Sequence, residues 1–334
     1  MKKFIRHHSR EISIVVAIII MGIVFGINEP IYLSSSNMMD IFEQSIIYGL
    51  MAIGMTAVII SGGIDLSVGS ALALICVVIS KAAVSGVHPL VCLLIGLVLG
   101  SVLGLLNGVL VAKLKLQPFI ATLGTMSVYR GVAYLISKGY PVLGVPPVYR
   151  NMINGDFLGL VKTSTVLLLL FVIFMFVIMA KTKLGTHIYA VGGNEEAARL
   201  SGIRIDRIKV LIFSIAMIGT GIAAMIQVAR LGTGDPTTGQ GYELNAIAAV
   251  AIGGTSMAGG RGTIIGTVLG AILFAGLRNG LIVSNVATFW QYVATGVVII
   301  IAAYIEVIQD NFSRIIKSKV SNSVEIERIE RVAS

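Results

Sequence analysis

Two groups of residues in this sequence have types and spacings suited to chemistry. The first are polar side chains set among apolar ones. Ser61-Gly62-Gly63-Ile64-Asp65-Leu66-Ser67-Val68-Gly69-Ser70 interrupts two long apolar runs with three glycines, three serines and an acid. Irregular backbone at membrane depth survives only when it is buried in protein or lines water. Asp65 is therefore a candidate for a solute pathway, as ionisable groups inside membranes often are. It is equally placed to cap the next helix by accepting from the N–H of Ser67 or Val68. Thr122, Thr125 and Tyr129 fall at i, i+3 and i+7, one helical face. Such a stripe of hydroxyls can line a route for a neutral polar solute, or can bond carbonyls of its own helix and leave nothing free. With Ser61, Ser67 and Asn107 these residues offer hydroxyls and an amide, the chemistry that hydrogen-bonds a solute without net charge.

The second group lies in the polar run 181–209, centred on Gly192-Gly193-Asn194-Glu195-Glu196-Ala197-Ala198-Arg199-Leu200-Ser201-Gly202. The run reads as a short helix. Asn194 caps its first free N–H groups, and Glu195 and Glu196 put negative charge at the positive end of the dipole. Gly202 can adopt the left-handed conformation that stops it. Two turns are too short to persist alone in water, so the helix must pack against something. Ala197 and Ala198 give it a small face that fits a groove on another protein. A plain connecting loop with one turn is the other reading.

Other chemistries are excluded by what the sequence lacks. It has no Gly-x-x-x-x-Gly-Lys-Ser/Thr loop, no His-Glu-x-x-His, no Cys-x-x-Cys and no nucleophile elbow. No catalytic residue, metal site or cofactor is expected, and any energy source must be an ion gradient or a partner chain. Cys76 and Cys92 stand singly in apolar runs, as small core residues do. His7-His8 is too short for a metal tract.

The elements that must position these residues follow from composition. The 334 residues are 56% hydrophobic and 12% charged. A soluble chain would hold about twice that charged fraction. The reading is an all-α integral membrane protein of about ten transmembrane helices, forming a single domain over 1–334. Spans of about 20 residues are predicted at 11–29, 42–61, 68–87, 89–112, 118–137, 164–180, 208–229, 243–257, 263–283 and 287–305. The first resembles a secretory signal, but no small-residue cleavage site follows it, so it is taken as retained. The net charge of +9 sits in short loops, which points to membrane orientation and away from nucleic acid. Eighteen of the 25 basic residues fall on the N-terminal side of the spans, six on the other, and Arg130 within one. That bias places 1–10, 181–209 and 306–334 in the cytoplasm and 138–163 outside. Arg130 is expected to snorkel outward. Gly96, Gly100, Gly104 and Gly108 recur every four residues, a pattern for a tight helix crossing. Two short echoes, Gly62-Gly63 against Gly253-Gly254 and Asn107-Gly108 against Asn279-Gly280, fall on inconsistent sides and leave inverted repeats open.

The sequence resembles the permease subunits of bacterial ATP-binding cassette (ABC) sugar importers, the ribose, xylose and galactoside permease family. The resemblance is carried by residues 62–69, by Pro118-Phe119-Ile120-Ala121-Thr122-Leu123-Gly124-Thr125, by residues 190–203, and by Ile252-Gly253-Gly254-Thr255-Ser256 continuing through Gly259-Gly260-Arg261-Gly262-Thr263. It runs from about 40 to 305. It implies a type II importer-like permease in the bacterial inner membrane that works as a pair, identical or related, with ABC ATPase subunits binding ATP on the cytoplasmic face. A periplasmic binding protein would deliver a monosaccharide. The segment Gly192, Asn194, Glu195, Glu196, Ala197, Ala198, Arg199 and Gly202 would then be the coupling helix. Alternatives of other classes are an ion-coupled secondary transporter, disfavoured by the scarcity of clustered acids within spans, and the same architecture moving branched-chain amino acids.

Overall fold

Long apolar runs become helices because each backbone N–H must find its partner within its own segment when no water is present. The computed structural model describes residues 9–301 and 304, so most of the expected segment 1–10 and all of the expected tail 306–334 lie outside the described residues. Among the described residues, seven helices are long and apolar enough to cross a membrane. They are α1 (Ser9–Asn28), α2 (Ser35–Ile60), α4 (Pro89–Ala112), α5 (Pro118–Ser137), α7 (Thr163–Lys181), α10 (Ile205–Leu231) and α12 (Ile264–Val283). Three shorter apolar helices, α3 (Val68–Val84), α11 (Tyr242–Ile252) and α13 (Thr288–Ile301), stand where the sequence predicts the remaining three spans. Gly253-Gly254 stops α11 well before residue 257. Between the long helices lie α6 (Pro147–Asn154), α8 (Lys183–Gly193), α9 (Glu195–Leu200) and the two-residue antiparallel strands β1 (Asp156–Phe157) and β2 (Val161–Lys162). Helices α4, α5 and α6 each open on a proline, which needs no N–H partner at a first turn.

Helix α2 is the axis. Its most apolar window is 89% buried, against 6% for that of α1, which leaves α1 facing outward. α4 crosses α10 at backbone contact. A methyl at Gly100 would stand 2.5 Å from Met217 O, one at Gly108 would stand 2.7 Å from Val210 Cα, and Gly96 lies against Gly221. The four-residue glycine spacing puts its bare stripe on one face, and dispersion between close backbones holds the pair where lipid offers no hydrophobic drive. Thr56 and Thr267 share a 2.6 Å hydrogen bond that ties α2 to α12.

The chain re-enters the protein after α10. Gly234 lies against Cys76 and Ser80, whereas Gly239 lies against Gly69 and Leu72. At 1.5 Å per residue, the segment therefore descends roughly 10 Å along α3 before α11 begins. Its irregular carbonyls need donors, and Arg130 of α5 supplies them. The guanidinium donates to Pro236 O at 2.6 Å and Thr238 O at 2.7 Å. Arg130 is thus held by two carbonyls of the segment after α10, where its sequence position suggested a guanidinium reaching for solvent.

Candidate functional site

The break between α2 and α3 gathers most of the polar candidates. Asp65 Oδ1 accepts from the Ser67 backbone N–H at 2.9 Å and from Ser67 Oγ at 2.7 Å, so Asp65 fixes the turn that leads into α3 by holding Ser67, the residue before its first turn. Its Oδ2 accepts from Asn107 Nδ2 at 3.0 Å, and the same amide donates to Ser67 Oγ at 2.8 Å. Tyr129 closes the circuit. Its hydroxyl lies 3.0 Å from Asn107 Oδ1 and 2.8 Å from Leu103 O. Thr122 Oγ1 reaches Ile64 O at 3.1 Å while also bonding Pro118 O at 2.8 Å in its own helix. Five residues from the break, α4 and α5 are thereby brought together: Asp65, Ser67, Asn107, Thr122 and Tyr129.

Ser61 and Thr125 stay outside this circuit. Ser61 Oγ donates to Val58 O at 2.7 Å, and Thr125 Oγ1 donates to Thr122 O at 3.2 Å. All seven side chains are buried. In the single chain these hydroxyls and the amide are engaged with protein groups. The arrangement braces the irregular 61–67 segment to α4 and α5, and Asp65 keeps a carboxylate at 2% exposure with neutral partners. A buried acid needs such donors, because low dielectric raises the cost of leaving its oxygens unpaired.

The 181–209 run holds two helices where the sequence suggests one. α8 begins on Thr182, whose hydroxyl accepts from Gly185 N at 3.3 Å. α9 begins on Asn194, which accepts from Ala197 N at 2.9 Å as its type predicts. Gly202, at φ +81°, ends it, with Ile203 N bonding Ala198 O at 3.1 Å. Glu195 pairs with Lys209 at 2.7 Å and with Arg199 at 3.7 Å, and Glu196 lies 3.9 Å from Arg199. These exposed pairs order the turn more than they stabilise it.

The small face of α9 needs correction. Ala197 is exposed, but Ala198 is only 4% exposed and belongs to the core. Successive helix residues point about 100° apart, so both alanines cannot share one outer face. Leu200, three residues after Ala197 and 82% exposed, takes the outer place. Its spacing from Ala197 is the signal that could have singled it out. Tyr189 of α8 carried no such signal. Its hydroxyl donates to Gly262 O at 2.8 Å, and burial pushes its pKa above the usual phenol value, which keeps it a donor.

Both regions fall within one family match. The profile of the family described as "Branched-chain amino acid transport system / permease component" matches residues 37–303. The chain belongs to this family. With membership comes the all-α, multi-pass architecture of ABC importer permeases. The permease is similar to the ribose import permease protein of Bacillus subtilis (strain 168), 44% identical over 289 residues, 86% of this chain and 89% of the relative. It is 39% identical over 297 residues to the ribose import permease protein of Escherichia coli (strain K12), covering 88% and 92% of the two chains. The D-allose transport system permease protein of the same strain is 37% identical over 285 residues, covering 85% and 87%. No solved structure matches the permease.

Proposed function

We propose that the permease carries a monosaccharide, a ribose-like pentose or a hexose, inward across the bacterial cytoplasmic membrane. It would receive the sugar from a periplasmic or lipid-anchored binding protein. A separate ABC ATPase would bind ATP and drive the cycle, and a second permease copy, identical or related, would complete the translocator. The single observation that carries this reading is the 44% identity to a ribose import permease across 86% of the chain. Two features of the chain agree with it. The sequence has no phosphate loop, as expected of a chain that leaves ATP to a partner subunit. The 181–209 segment presents a capped two-turn helix, with Ala197 and Leu200 exposed, as the part of the chain offered to an ATPase groove. In this reading Ser61, Asp65, Ser67, Asn107, Thr122, Thr125 and Tyr129 belong to the pathway, with Asp65, Ser67, Asn107, Thr122 and Tyr129 holding its walls, α4 and α5, to the break.

The test is reconstitution in liposomes with ATPase and binding protein, assaying uptake of pentoses, hexoses and leucine. Sugar uptake that requires ATP and the binding protein, and ignores an uncoupler, is expected. Uptake that persists without ATP and collapses with a proton or sodium uncoupler overturns the ABC assignment. ATP-driven uptake of leucine alone overturns the substrate class.

A further inference from the structure

Three stretches of backbone meet at the end of α8 with no side chains between them. Gly260 N–H donates to Ile60 O, the last residue of α2, at 2.9 Å. Gly192 of α8 lies on that pair: a methyl there would overlap Ile60 O and stand 2.8 Å from Gly260 N. The turn presses back in the same way. Methyls on Gly259 and Gly260 would each stand 2.9 Å from α8 backbone, at Gly192 O and Gly193 Cα. One helical turn earlier, the Tyr189 hydroxyl bonds Gly262 O and fastens α8 to the far end of the same turn.

Contact between bare backbones has no rotamers with which to absorb a shift, and close-packed interiors transmit strain. A displacement of α8 must therefore move the end of α2, the 259–262 turn, or both. Each leads directly into the membrane core. Ile60 is followed at once by the 61–67 break and the Asp65 brace. Gly262 is followed by Thr263, which caps α12 by accepting from Gly266 N at 3.0 Å.

We propose that this joint is where movement of α8 and α9 enters the membrane-spanning core, with Tyr189 and Gly192 as its positioning residues. The inference rests on the coupling reading given above. Tyr189 and Gly192 act through their contacts with Gly262, Ile60 and Gly260. They fix which parts of the core follow α8.

The experiment uses the complete complex with ATPase and binding protein in liposomes, reading ATP hydrolysed and sugar taken up together. Tyr189→Phe keeps the ring and removes one hydrogen bond. It should assemble, hydrolyse ATP at the wild-type basal rate, and carry on the order of two- to tenfold less sugar per ATP, the effect of one lost neutral hydrogen bond. Gly192→Ala should abolish uptake. Gly193→Ala, where a methyl meets nothing within 4 Å, should couple normally. Wild-type sugar per ATP in Tyr189→Phe overturns the joint, whatever Gly192→Ala does. A wild-type complex that assembles but never links ATP to uptake overturns the coupling reading instead, and the joint with it.

Discussion

Asn107 and Thr125 are both buried polar side chains, 0% and 8% exposed, and by residue type they look interchangeable as lining. Their bonds separate them. The Asn107 amide satisfies the Asp65 carboxylate and Ser67 and lies within reach of the Tyr129 hydroxyl, so it joins three segments of chain. Thr125 donates to a carbonyl of its own helix and stands beside the Tyr129 hydroxyl, one turn further along that helix. Asn107→Leu leaves a buried carboxylate short of a donor and should cost about 1–3 kcal/mol. Thr125→Val preserves shape and removes a back-bond, and should cost less than about 1 kcal/mol. Thermal unfolding of the purified permease in detergent checks the pair. Equal losses would mean that Asn107 braces nothing.

At the scale of elements, α9 separates two alanines that the sequence pairs. Ala197→Asp places a charge on the exposed side and should leave the permease inserted and folded while abolishing ATPase capture. Ala198→Asp buries an unpaired carboxylate and should cost about 3–5 kcal/mol of stability, lowering the yield of folded protein. Pull-down of the ATPase with each variant, alongside melting curves, checks both; normal capture by Ala197→Asp would mean that this face docks nothing. The difference shows what could be read in advance. Caps, charges at the dipole and the stopping glycine are local signals, so α9 was legible from Asn194 to Gly202. Which side of a two-turn helix faces inward depends on neighbours far along the chain, and Ala198 gave no hint of them. The same division holds elsewhere. The glycines of α4 announced a close crossing by their spacing, but not that α10 would fill it. Thr122, Tyr129 and Asp65 announced polarity, but the meeting of Tyr129 and Asp65 on Asn107, and of Thr122 with Ile64 O, needs the break, α4 and α5 folded together. Arg130 was visible as a charge within a span, and its partners lie in a segment whose re-entry no local pattern marks.

For the whole molecule, the charge bias of the loops predicts a cytoplasmic 181–209 segment and an external 138–163 segment. Arg150 and Glu195 are both exposed, one in each region, and native Cys76 and Cys92 are buried. Arg150→Cys should therefore react with a membrane-impermeant maleimide added outside intact cells, and Glu195→Cys should be protected until the cells are opened. The reverse pattern would invert the topology. The Arg130 clamp has a consequence for how such a protein is made. Arg130 precedes Pro236 by 106 residues. At about 5–20 residues per second, α5 waits on the order of 5–20 s for the carbonyls that satisfy its guanidinium. An arginine in a spanning helix costs up to about 2.5–3.5 kcal/mol on insertion. Helix α5 is thus born a marginal passenger of the bilayer, and becomes a settled one only when the ribosome has delivered the segment after α10.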